Sequence, residues 1–347
     1  MTCEHTIMKL EGIKDIVGGD GESANNEEKS AYGSAVGSLA WISRVCRLDI
    51  LANVSKLQQN KKHVTKRALR DCNKVIKYAR DHSKRGLWFK SRKLDWSNMI
   101  MLSITDASWS DEKDPDTGEE HRSLGGRITA FGTPSYVSED SGYLHVIGFG
   151  CTLIHRVCRA TLQAETYQLS LGVEHMDLLR AGVVSMYGKL NLKRWESTAA
   201  EHMLAVWFTD CDSTVQACIE PVLGKIQDKR LSIEISSLRQ SVWRRKGQRV
   251  GQSSIEDDLP VIDEATDIIR WIDTDTMLAD CLTKVMDASK LMATLESNFW
   301  DIKQPIESLR KKRLKQAQRQ AARKGEKQLS LNDSETNHAV PAGSHED

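Results

Sequence analysis

Hydrophobic and polar positions change rhythm along this chain. From Ala31 to about Lys93 the rhythm is helical. Val36, Leu39, Ala40 and Ile42 fall on one face of the stretch Ala35 to Cys46, and Ile50, Leu51, Val54 and Leu57 on one face between Asp49 and Gln58. Leu69, Cys72, Ile76 and Ala79 recur at helical spacing between Lys66 and Asp81, and Thr65 is placed to cap that helix. Gly86-Leu-Trp-Phe-Lys90 breaks the pattern and starts a short strand. Beyond it the apolar residues gather into short bounded runs. These predict strands over Met99–Thr105, Gly126–Phe131, Leu144–Phe149, Leu204–Thr209 and Ile268–Ile272. Helices are predicted over Thr161–Gly182, Ser213–Ile219, Lys229–Arg245 and Met277–Val285. Three successive strands, then strands separated by helices, predict an α/β fold: a mixed sheet with helices on its faces, preceded by a small helical region.

The ends read differently. Residues 1–29 are polar and rich in Gly, Asn and Glu, which predicts a disordered leader. The helical segment is expected over 30–95 and the α/β domain over 98–300, with a basic, largely disordered tail over 301–347. Net charge is +1, from 49 basic and 48 acidic residues. That balance conceals a tail with nine Lys/Arg and one acid between Ser308 and Gln328. Between Lys61 and Lys93 stand thirteen more basic residues. Lys66, Arg70, Lys74 and Lys77, with Arg310, Lys311, Lys312 and Arg313 in the tail, are the expected contacts to a phosphate backbone.

Eight cysteines are scattered as singles with no C-x-x-C pair, which argues against a zinc site and against a disulfide framework. No run of about 18 apolar residues occurs, and Met1 to Lys9 lacks the apolar core of a signal peptide. The expectation is a reduced, intracellular protein, cytoplasmic or nuclear, with no membrane and no disulfide partner.

Four acids stand at element ends in the α/β region. Asp106 closes the first strand, and Glu165 lies at the start of the long helix. Asp210 follows the apolar run Ala205-Val-Trp-Phe208, and Asp280 lies in the last predicted helix. Ligands in open α/β sheets gather at the carboxyl ends of strands. Clustered carboxylates repel, so they call for protonation or for hard divalent cations such as Mg²⁺ or Mn²⁺. Two such ions ~3.5–4 Å apart clamp the oxygens of an in-line phosphoryl displacement. The third acid has a rival two residues on, Asp212. Asp210 directly follows the strand, whereas Asp212 suits the cap of the helix at Ser213.

Five marks occur in order: Thr105-Asp-Ala-Ser-Trp109, Gln163-Ala-Glu-Thr-Tyr167, Thr209-Asp-Cys-Asp-Ser213, Lys229-Arg-Leu-Ser-Ile-Glu-Ile235 and Met277-Leu-Ala-Asp-Cys-Leu-Thr-Lys284. On these the region from about 98 to 300 resembles the ribonuclease H domain of copia-type retrotransposon Pol polyproteins. Tyr32-Gly-Ser-Ala-Val-Gly-Ser-Leu39 through Gly86-Leu-Trp-Phe89 resembles the end of the reverse transcriptase that precedes it. The resemblance implies a ribonuclease H-like, five-stranded mixed sheet and two-metal cleavage of the RNA strand of an RNA–DNA hybrid. It implies Asp106, Glu165, Asp210 and Asp280 as catalytic residues and ligands of two Mg²⁺ or Mn²⁺ ions. The rest of a Pol polyprotein is a further implied partner. The paired-aspartate polymerase motif is absent, so this chain is not expected to polymerise DNA. The place of the mobile histidine of cellular ribonucleases H reads Ile272-Asp-Thr-Asp-Thr-Met277. Three alternatives stand beside this reading. One is an inactive nucleic-acid-binding module of retroelement origin. Another is an integrase or transposase, whose late-helix glutamate this order of acids does not match. The third is a structural α/β protein whose acids are caps, which the five ordered marks argue against.

Overall fold

Met99 to Ala107 alternate between two buried faces, as a strand covered on both sides must. In the computed structural model, which describes residues 3–109, 123–219, 226–242 and 267–303, this strand is β1 (Ile100–Ser108). Ile100, Leu102 and Ile104 enter one core, Met99 and Met101 the other. β2 (Leu124–Gly132) and β3 (Ser141–Leu153) continue from β1 as an antiparallel meander. β4 (Ala205–Thr209) pairs parallel to β1 on its other side, and β5 (Asp267–Trp271) pairs parallel to β4. A short strand, β6 (Phe299–Asp301), pairs antiparallel with the start of β3. The sheet is therefore mixed and six-stranded, in the order β5-β4-β1-β2-β3-β6, one strand more than expected.

Helices cover both faces. α5 (Thr161–Met186) packs with α6 (Trp195–His202), α7 (Asp212–Ile219) and α8 (Lys229–Val242) on the face of Met101, Trp207 and Phe131. Trp207 is fully buried there, and its truncation to Ala would cost ~3–5 kcal/mol. α9 (Asp280–Thr283) and α10 (Ser289–Ser297) cover the face of Leu102, Ile104 and Phe208. Asn298 ends α10 at φ 55°, and its side chain bonds the Trp88 carbonyl and the Lys90 N–H. That link holds segment 86–90 to the sheet, although the segment is no strand of it.

The helical region comprises α1 (Glu4–Met8), α2 (Asn26–Val45), α3 (Leu51–Gln59) and α4 (Lys66–Asp81). Asn25 and Glu28 form a reciprocal cap at the start of α2, and Thr65 caps α4. Buried Arg47 donates to both oxygens of Asp49 at 2.8 Å and to the Ala79 carbonyl, which ties the end of α2 to α4. The leader expectation fails for the described part of 1–29. Ile7, Leu10 and Ala24 are buried in the same core as Tyr32 and Leu69, and Lys66 N–H donates to the Glu22 carbonyl. Sparse apolar residues suffice there because an existing bundle supplies the surface they cover. Leu48, Leu51 and Leu87 join the sheet's own core, so this region packs directly on the sheet.

All eight cysteines are free thiols. Among the described residues no helix is long and apolar enough to cross a membrane. The disordered tail expected from 301 is corrected at its start, where Asp301 belongs to β6 and Ile302 is buried in the sheet's core; the rest of it, with Arg310, Lys311, Lys312 and Arg313, lies outside the described residues.

Candidate functional site

Side chains two apart on a strand share a face. Asp106 therefore continues the face of Leu102 and Ile104, and Asp210 follows the line of Val206 and Phe208. Ile104 pairs with Phe208 in the parallel ladder, so the two acids leave neighbouring strands at the same level. Glu165 comes from the other side, on the second turn of α5. One oxygen from each of Asp106, Glu165 and Asp210 lies within 4.8 Å of the others.

Two close approaches make this convergence possible. Gly172 of α5 lies against Thr105 of β1, where a Cβ would collide with the Thr105 methyl. Gly126, the cross-strand partner of Asp106, leaves room for α9. A Cβ there would sit 2.9 Å from Leu282 Cβ and Thr283 Cγ2.

The three carboxylates are poorly matched by the protein. Burial pushes the Asp106 carboxyl up to about 7, with Lys284 pulling it down and Asp280 pushing it further up. Burial, then the charges of Asp106 and Asp210, push Glu165 up to about 10, against a hydrogen bond from the Ala107 N–H. Asp210 is raised by burial, and the Thr274 hydroxyl, donating to its Oδ2 at 2.8 Å, opposes that rise. Glu165 Oε2 is buried without a hydrogen-bond partner. A divalent cation would satisfy that orphan oxygen and offset the like charges; oxygen-only donors suit a hard ion. The residues present therefore fit a metal.

Asp280, the fourth acid, is not in the converging set. Its Oδ1 accepts from Lys284 Nζ at 2.5 Å, and the same ammonium lies 3.7 Å from Asp106 Oδ2. Thr283 donates to Asp106 Oδ2 and to the Asp280 carbonyl. The predicted helix Met277–Val285 shrinks to α9, the backbone being extended at Met277, after the tight turn Thr274–Thr276, and again at Lys284. Asp212 is the first residue of α7 and accepts from Gln216, away from the triad. Thr274, Thr283 and Lys284 touch the acids but were not singled out from sequence. For Lys284 the available signal was its position four residues after Asp280, a spacing at which helical side chains meet.

The expected phosphate-binding residues of α4 all lie beside acids. Lys66 is buried and ion-paired with Glu28 at 2.6 Å. Arg70 is held by Asp20 and the Gly18 carbonyl, Lys74 by Asp71 and Lys77 by Asp81. Each of these four cations has a carboxylate beside it, and Lys74 and Lys77 remain exposed. The chain matches no model of a known protein family and no curated protein.

Proposed function

We propose that this chain is a divalent-cation-dependent nuclease of ribonuclease H type, which cleaves the RNA strand of RNA–DNA hybrids. The observation that carries the reading is the triad Asp106, Glu165 and Asp210: three buried carboxylates from β1, α5 and the end of β4, with one oxygen left unpartnered. A mixed sheet with helices on its faces is compatible with the fold the resemblance implies, which supports the same reading. Perturbed carboxyls in a cluster are a mark of functional sites, although structural networks perturb them too.

Bound Mg²⁺ or Mn²⁺ supplies positive charge at the scissile phosphate and lowers the pKa of water toward neutrality. The chain's own residues prepare for it. Asp106 and Asp210 hold oxygens at the ends of adjacent strands, where the rigid ladder fixes their spacing. Thr283 orients Asp106 and Thr274 orients Asp210. Protons on Asp106 and Glu165 must leave before these oxygens can serve a cation, so affinity rises with pH.

The test is incubation of the folded protein with a labelled RNA–DNA hybrid and Mg²⁺, Mn²⁺ or EDTA. Internal cuts in the RNA strand with either metal, none with EDTA, and intact single-stranded RNA and duplex DNA are expected. Hybrid binding without cleavage under every metal would establish the inactive binding module instead.

A further inference from the structure

We infer that the Lys284 ammonium is the built-in occupant of the gap between Asp106 and Asp280, so that a second divalent ion can use this pair only by displacing it. This rests on the metal-nuclease reading above. The geometry is that of a cation shared by two carboxylates, 2.5 Å from Asp280 Oδ1 and 3.7 Å from Asp106 Oδ2. Both acids are buried, whereas the Lys284 side chain is 45% exposed. The ammonium can therefore swing into water without repacking the core, while the acids stay in place.

Charge counting separates the two positions. The triad, fully ionised, is a trianion with an unpartnered oxygen, Glu165 Oε2, and answers to a first divalent ion. Asp280 with Lys284 is already a neutral pair. A second ion must therefore compete with an ammonium already seated between the two carboxylates and then bear its repulsion nearby. One tight and one weak site follow from a single lysine. A phosphodiester brings negative charge of its own, which favours both the second ion and the freed ammonium. Lys284 would thus link occupancy of the second site to the presence of the substrate.

The full chain, free of nucleic acid, is titrated with Mn²⁺ alone, and the free ion is read by electron paramagnetic resonance. The wild type should show one tight ion and a second bound far more weakly. Lys284→Gln and Lys284→Ala should tighten the second ion by about tenfold or more, and by more than they tighten the first. Lys284→Arg, which keeps the charge, should hold the second ion weak. If the neutral variants leave the second affinity unchanged or weaken it, the inference is overturned and the first ion's site stands. If the wild type binds no tight ion that Glu165→Gln removes, the nuclease reading falls and takes this inference with it.

Discussion

Helix α5 carries two buried charged clusters built on opposite rules. Near its start, Glu165 meets Asp106 and Asp210, three groups of like charge. About four turns further on, fully buried Arg180 donates to both oxygens of Asp267, at 2.6 and 3.1 Å, and to Asp177 at 2.5 Å. Burial works against the Arg180 charge, yet Asp267 and Asp177 outweigh it and hold its pKa above the usual arginine value. Burial and mutual repulsion in the first cluster instead hold the carboxyls protonated well above their ordinary range. A set of opposite charges fastens α5 to β5. An unmatched set stores a demand for a cation. Burial of charge is common to both, so the match decides between glue and site.

The strongest way to break this contrast is at the triad's function. Asp106→Asn should lower metal-dependent hybrid cleavage by ~10³-fold or more, read as initial rates, because it removes a ligand charge and little volume. Arg180→Ala should act on the other cluster alone. It strips Asp267 and Asp177 of their shared guanidinium and should cost ~3–5 kcal/mol of stability, measured by urea unfolding. A cost below ~1 kcal/mol would show the two clusters to be alike.

The pH dependence of stability sharpens the comparison further. In EDTA, the folded chain holds a proton on Asp106 up to about pH 7 and on Glu165 up to about pH 10. The unfolded chain loses both near pH ~4. Between those limits the native state binds more protons, so stability falls as pH rises, by up to ~1.4 kcal/mol per unit for each group. Melting temperature in EDTA should thus decline from pH 5 to 9, and Glu165→Gln should flatten the decline. A flat wild-type profile would mean the carboxyls are already matched.

Smaller effects are expected where geometry is only crowded. Gly126→Ala should push α9 from β2 and cost ~1–3 kcal/mol by overpacking, with weaker Mn²⁺ binding in the same sample. Least of all, Lys74→Ala with Lys77→Ala should leave stability within ~0.5 kcal/mol and the salt dependence of hybrid binding unaltered, since both are exposed and already paired. A clear flattening of the salt slope would restore α4 as a nucleic-acid surface.

Much of the fold is legible in residue order because it follows from local rules. The run around β1 is apolar on both faces because both faces are covered, and Thr65 opens α4 because a hydroxyl satisfies a free N–H there. The third acid was also readable as a choice: Asp210 ends a buried run, while Asp212 begins a helix. The elements that escaped the pattern exist by virtue of their neighbours. β6 has three residues and is a strand because Ser141 to Tyr143 lie beside it. Ile7 and Leu10 are buried because the bundle is there to receive them.

Partnership between charges far apart in sequence belongs to tertiary structure. Lys66 and Arg70 read as a basic helical face until Glu28 and Asp20, distant in sequence, arrive beside them. The residue types and their order around Asp106, Glu165, Asp210 and Asp280 were set by sequence, and with them the kind of chemistry available. Which three oxygens converge, and that Lys284 also reaches Asp106, was decided by folding. Spacing along a chain constrains which face a side chain takes, but not how closely residues far apart in sequence approach; that distance comes from the packing of α5 and α9 against β1 and β2.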